Sequence, residues 1–231
     1  MRSGLLLIVL GLVAACSSSK GLPVETLQEI LRQEAIRFEG ERSPKPSPSH
    51  NFPPTPPALG LYLKPTGFLQ HEFEWSNADR DHVLTWARRL TADHGLASAN
   101  FVPQSSLKGD QLVQLRDSAA RYGADFLLVF DGAAAVDRYN NYKGPLLYWT
   151  IIGAYVADGT HSDALCLIRG SLWEVKTGSL LFQEEAQGRA QTVGPAAFLE
   201  DDVVVEAAKA KALVELQRRI AERVKRLREP S

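Results

Sequence analysis

Apolar positions recur along this chain with several periods, and the places where the period changes mark its elements. Between Val24 and Glu39, Leu27, Ile30, Leu31, Ala35 and Phe38 return every three or four positions, the spacing of one apolar stripe on a short amphipathic helix. Residues 59–63 form a short β-like run that Lys64 and Pro65 end. From residue 76 to 94, Val83, Trp86, Ala87 and Leu90 share one helical face, with Ser76 or Asn77 as the cap and Gly95 as the stop. A brief strand around residues 98–102 leads to a second such helix. There Leu112, Leu115, Ala119 and Tyr122 follow an Asp110 cap, and Gly123 closes the pattern.

The helical period then disappears. Phe126, Leu127, Leu128, Val129 and Phe130 are continuously apolar, as in a strand buried on both faces. Further β segments are expected near residues 146–156, 164–175 and 179–190, the last two joined through Lys176-Thr177-Gly178 as an antiparallel hairpin. A final helix over residues 197–227 carries Leu213, Leu216, Ile220, Val224 and Leu227 on one face. Glu200, Asp201 and Asp202 open it and Arg226 and Arg228 close it, in the sense that the helix dipole favours. The order predicts an α/β fold in which helices sandwich a mixed β-sheet.

The N-terminus changes where this domain resides. After Arg2 comes an apolar run over residues 5–15, too short to span a bilayer, so residues 1–15 read as a signal peptide. The run ends in Val13-Ala14-Ala15-Cys16, small residues ahead of a cysteine, which is the recognition pattern of lipoprotein signal peptidase with Cys16 as the lipidated residue. A diacylglyceryl thioether and an amide-linked chain such as palmitate would hold the protein on a membrane, each buried CH₂ contributing about 0.8 kcal/mol. By resemblance to lipoprotein sorting in diderm bacteria, where an aspartate after the cysteine favours inner-membrane retention, Ser17 implies the outer membrane of the bacterial envelope as the destination.

Residues 16–58 then comprise the anchor, the short helix and a proline-rich linker. Seven of the thirteen prolines fall between Pro44 and Pro57, where fixed φ angles and missing N–H groups exclude helix and inner strand. The linker is expected to hold a globular domain, residues 59–231, off the membrane. Charge adds little: 26 basic against 27 acidic residues leave a net −1, with no field to gather nucleic acid. Cys166, set among Ala164, Leu165, Leu167 and Ile168, is expected to be a buried, inert thiol.

Candidate chemistry is sparse. His50, His71, His82, His94 and His161 show no metal-ligand spacing, so neither a metal nor another cofactor is expected. Asp158, His161, Ser162 and Asp163 form a polar cluster read as a loop between strands, and a hydrolase using Asp158, His161 and Asp163 is the alternative reading. The same residue types also suit an ordinary β connection. Asp137 to Tyr142 reads as a second polar connection. Tyr148, Trp149 and Tyr155, with Tyr142 and His161 at the margins, are the candidate partner-binding residues, because large aromatics anchor protein and glycan contacts.

One stretch goes further than composition. Tyr148-Trp149-Thr150-Ile151-Ile152-Gly153-Ala154-Tyr155-Val156, followed by Gly159, Thr160 and His161 and by Leu180-Leu181-Phe182, resembles the rhombotarget lipoprotein family of bacteria. Residues 61–65, Gly123-Ala124-Asp125 and the lipobox extend that resemblance over most of the chain after the prolines. The resemblance implies an envelope lipoprotein and no defined activity. The Gly-Gly sorting tail that gives the family its name is not matched by Arg226-Leu227-Arg228-Glu229-Pro230-Ser231, so rhomboid-type processing is not expected. The segment from Gly123 to Phe182 is also similar, at the level of fold, to envelope lipoproteins that activate penicillin-binding proteins or form curli secretion pores. The expectation is a non-enzymatic binding or assembly module, periplasmic or surface-exposed, whose partner is an envelope protein or cell-wall component.

Overall fold

The computed structural model describes residues 19–39, 56–65, 73–103, 112–140, 160–195 and 198–228. Its helices are α1 (Val24–Glu39), α2 (Asn77–His94), α3 (Leu112–Arg121) and α4 (Asp201–Arg228). Its strands are β1 (Ala58–Leu63), β2 (Ser98–Phe101), β3 (Phe126–Asn140), β4 (Thr160–Glu174) and β5 (Leu180–Gly194), joined in one sheet of order β2-β1-β3-β4-β5. β1 runs parallel to β2 and β3, whereas β4 is antiparallel to β3 and to β5. This is the mixed α/β sheet that the hydrophobic pattern predicts.

The topology fixes which helix covers which face. β2 and β3 lie on opposite sides of β1, so right-handed crossovers send α2 and α3 to opposite faces of the sheet. On one face, Val83, Ala87 and Leu90 of α2 and Ala208, Ala212, Leu216 and Ile220 of α4 close over Leu61, Leu128, Phe130, Cys166 and Ile168. On the other, Leu112, Leu115 and Ala119 of α3 pack with Tyr62, Leu127, Val129 and Trp173. Helix α1, which precedes the expected domain, belongs to this packed body: Leu27 and Leu31 bury against Ala133, Leu165 and Leu167.

Local chemistry sets the ends of the elements. Ser76 caps α2: its hydroxyl accepts the Asp79 N–H while Asp79 Oδ2 accepts the Ser76 N–H, and Gly95 stops the helix in the left-handed region at φ 57°. The expected hairpin forms with Gly178 at φ +75° in its turn. Helix α3 ends before Tyr122, whose side chain is exposed instead of completing the apolar stripe. β3 is far longer than its apolar run because Gly132 and three alanines continue it; the small Ala133 and Ala135 let α1 lie close to one face, while Gly132 leaves room for the Phe73 ring on the other.

Three further devices seat α4. A Cβ on Gly188 of β5 would stand 2.1 Å from the Ala208 carbonyl oxygen and 2.5 Å from the Ala212 nitrogen, so the α4 backbone rests directly on the strand. Beside it, Lys211 Nζ and Arg219 Nη1 of α4 donate to the carbonyls of Arg189 and Glu185 on the edge strand at 3.0 and 2.7 Å. Lys209, with 1% of its side chain exposed, joins α4 to the α2 cap through Asp79 at 2.6 Å and pairs within α4 with Glu206 at 2.5 Å. Burial works against its charge, but those two hydrogen bonds outweigh it and hold the ammonium above its ordinary pKa.

Candidate functional site

Val13, Ala14, Ala15 and Cys16 lie outside the described residues, as do Tyr142, Tyr148, Trp149, Tyr155, Asp158 and the β segment expected over residues 146–156. His161, Ser162 and Asp163 are described, and they correct the expectation of a loop. They are the opening residues of β4, and Asp137 to Asn140, also expected to be a connection, are the closing residues of β3.

The reason is cross-strand pairing. Asn140 stands opposite Thr160, and the Thr160 hydroxyl donates to Asn140 Oδ1 at 2.8 Å. Tyr139 stands opposite His161 with the rings stacked at 5.0 Å and 4°, and the Tyr139 hydroxyl donates to Asp163 Oδ2 at 3.2 Å. Polar side chains that find partners across the ladder extend it as well as apolar ones do.

Strand geometry then separates the candidate catalytic group. Successive side chains of β4 point to opposite faces, so His161 and Asp163 share the α1 face while Ser162 points to the α4 face. There the Ser162 hydroxyl donates to Asp201 Oδ1 at 2.7 Å, and Arg138 approaches the same carboxylate at 3.7 Å. His161 Nδ1 lies 3.4 Å from Gln191 Nε2 on the neighbouring strand. Burial first, and the Asp163 carboxylate second, push the Tyr139 phenol above its usual pKa, so it remains a neutral donor. Asp163 Oδ1 has no hydrogen-bond partner among the described residues.

On the same face and at the same end, β3 holds the N-terminus of the described chain. Asp137, buried on β3, accepts the Ser19 hydroxyl at 2.5 Å and the Gly21 N–H at 2.9 Å on one oxygen, Oδ2. The Ser19 hydroxyl is the largest influence holding this carboxyl below its usual range, with the Lys20 and Gly21 amides adding to it against the opposing effect of burial. Sequence reasoning missed this contact, which joins residues 118 positions apart and has no periodic signature.

Immediately after it, α1 is fastened by buried charge. Lys64 Nζ meets Glu34 at 2.9 Å and Asp131 at 3.6 Å, while Arg169 Nη2 meets Asp131 at 2.7 Å and the Leu31 carbonyl at 2.8 Å. These groups alternate in sign, so each buried charge has an opposite neighbour.

Elsewhere, Cys166 is fully buried, as expected, and burial pushes its thiol up to about 12. A cavity of about 350 Å³ opens at the carboxyl end of β1 between Leu63, Pro65, Trp75, Ser76 and Arg80. Among the described residues, no group of three or more His, Cys, Asp and Glu is arranged to hold a metal ion. No helix among them is long and apolar enough to cross a membrane.

No family model and no curated protein sequence match this chain. Among solved structures it is similar to the PelC dodecamer from Paraburkholderia phytofirmans, at 14% identity over 76% of this chain and 95% of that one, with a TM-score of 0.28. It is similar to the LpoB C-terminal domain from Salmonella enterica at 11% identity over 70% and 95%, TM-score 0.29. It is also similar to a minor lipoprotein from Acinetobacter baumannii at 12% identity over 77% and 97%, TM-score 0.35. Likenesses this weak carry nothing about activity or partner.

Proposed function

We propose that this chain is a bacterial envelope lipoprotein, acylated on Cys16, whose α/β body is a non-enzymatic binding or assembly module on the outer membrane. The observation that carries the reading is the position of the lipobox: Cys16 stands three residues ahead of Ser19, where the chain is bound into the folded body at Asp137. A lipid at that cysteine makes the whole body a membrane-held unit. The opposed directions of Ser162 and His161 weigh against Ser162 as the nucleophile of a hydrolase, since a nucleophile and its base must share a face; His161 and Asp163 do share one.

The binding surface is assigned to the connection between β3 and β4, which carries Tyr142, Tyr148, Trp149 and Tyr155, together with His161 at its edge. Its partner is an envelope protein or cell-wall component, bound through large aromatics.

The test is purification of the lipid-intact protein from membranes after crosslinking, with mass spectrometry of both its N-terminal peptide and its partners. Acyl mass on Cys16 and a crosslinked partner lost in both Trp149→Ala and Cys16→Ser are the expected results. An N-terminal peptide without acyl mass would remove the anchor, and partner capture unchanged in Trp149→Ala and Tyr148→Ala would remove the binding surface.

A further inference from the structure

We infer that the end of the sheet where β3 finishes and β4 begins faces the lipid surface, with the strands carried outward from the membrane. The inference rests on the acylation of Cys16 proposed above and adds an orientation to it.

Chain length limits how far the body can stand from its anchor. Residues 16–19 span three peptide steps, at most about 10 Å when fully extended. Ser19 is hydrogen-bonded to Asp137, so the Asp137 end of β3 lies within about that distance of the acylated sulfur. The proline-rich run does not lengthen this tether, because it lies between α1 and β1 and both are seated in the same body. What precedes α1 is the short strap of residues 19–23, held by Asp137 through Ser19 and Gly21.

The opposite end of the sheet is far away. β3 and β4 have 15 residues each, a length of about 50 Å at 3.3 Å per residue. The β4–β5 turn at Lys176-Thr177-Gly178 stands at that far end. The occupant assigned to the near end is the bilayer that carries the anchor, because its distance is set by covalent chain; a partner bound through the β3–β4 connection, as proposed above, would then be met beside the lipid surface. The ladder end at Asn140 and Thr160, with Val193 and Gly194 of β5 beside it, is then the membrane-proximal rim.

The experiment uses the full lipidated chain in phosphatidylethanolamine–phosphatidylglycerol vesicles containing headgroup-nitroxide lipid. A fluorophore is placed on a cysteine at the near end, Val193→Cys, or at the far turn, Lys176→Cys, both positions being exposed. Cys16 is blocked by its acyl chain and Cys166 is buried, so neither takes up label. Quenching several-fold stronger at position 193 than at 176 is expected, and the difference should collapse in Asp137→Ala and in the milder Ser19→Ala. Equal quenching at both positions, or stronger quenching at 176, in protein whose N-terminal peptide carries acyl mass would overturn the orientation alone. Absence of acyl mass would instead overturn the anchor. Persistence of the difference in both release variants would overturn the role given to the Ser19–Asp137 contact.

Discussion

Arg169 on β4 donates to Asp131 on β3 at 2.7 Å beneath helix α1, and both side chains are nearly withdrawn from water. The same Arg169 nitrogen reaches the Leu31 carbonyl, so one guanidinium joins two strands and the covering helix. Arg169→Ala leaves Asp131 with only the longer contact to Lys64 and is expected to cost about 3–5 kcal/mol. The paired change Arg169→Met with Asp131→Leu removes both charges and should cost much less. Urea denaturation of both variants beside the unaltered protein checks the difference.

Gly188 presents a steric test of how α4 sits. Its missing Cβ would collide with helix backbone, not with the end of a flexible side chain, so Gly188→Ala must lift α4 off β5. The expected cost is about 1–3 kcal/mol, read as a lowered melting temperature. Gly123→Ala, where nothing lies within 4 Å, meets no such neighbour, and its cost is confined to the strained φ of +72°.

Asp137 supplies a pH dependence whose sign follows from its depressed pKa. A carboxylate held below its usual value contributes stability above the unfolded pKa of about 3.9 and loses it as pH falls through the lower folded value. The strap through Ser19 and Gly21 should therefore stay docked from neutral pH down to about pH 4 and loosen below it. Protection of the Gly21 amide against hydrogen exchange, measured across that range, checks this. Asp137→Asn should remove the acid transition.

Cys166 predicts a chemical silence. With its thiol fully buried and pushed up to about 12, it should resist maleimide at pH 7.5 in the folded protein and react fully in denaturant. Intact-mass measurement before and after unfolding distinguishes the two.

The elements that local chemistry specifies were readable in the residues alone. Ser76 and Gly95 delimit α2, the acidic and basic ends delimit α4, and Lys176-Thr177-Gly178 turns the hairpin. The ends of β3 and β4 were not readable, because Asp137 to Asn140 and Thr160 to Asp163 are polar and extend the ladder through partners on the other strand. Those partnerships appear only when the two segments meet. The candidate site suffered in the same way: His161, Ser162 and Asp163 look like one polar group in sequence, and alternation along a strand divides them. The Ser19–Asp137 contact was wholly hidden, since neither residue is unusual where it stands.

The two cationic side chains that α4 lays over β5 acquire a meaning once many copies share a membrane. Confinement to a surface raises the effective concentration of each copy for its neighbours. A fifteen-residue edge strand with bare carbonyls would then template lateral growth of sheet from chain to chain. Lys211 and Arg219 already occupy the carbonyls of Arg189 and Glu185, so a neighbouring strand would have to displace charge from the helix before it could pair. Held on a bilayer by the anchor proposed at Cys16, neighbouring copies would meet an edge strand already blunted where α4 crosses it.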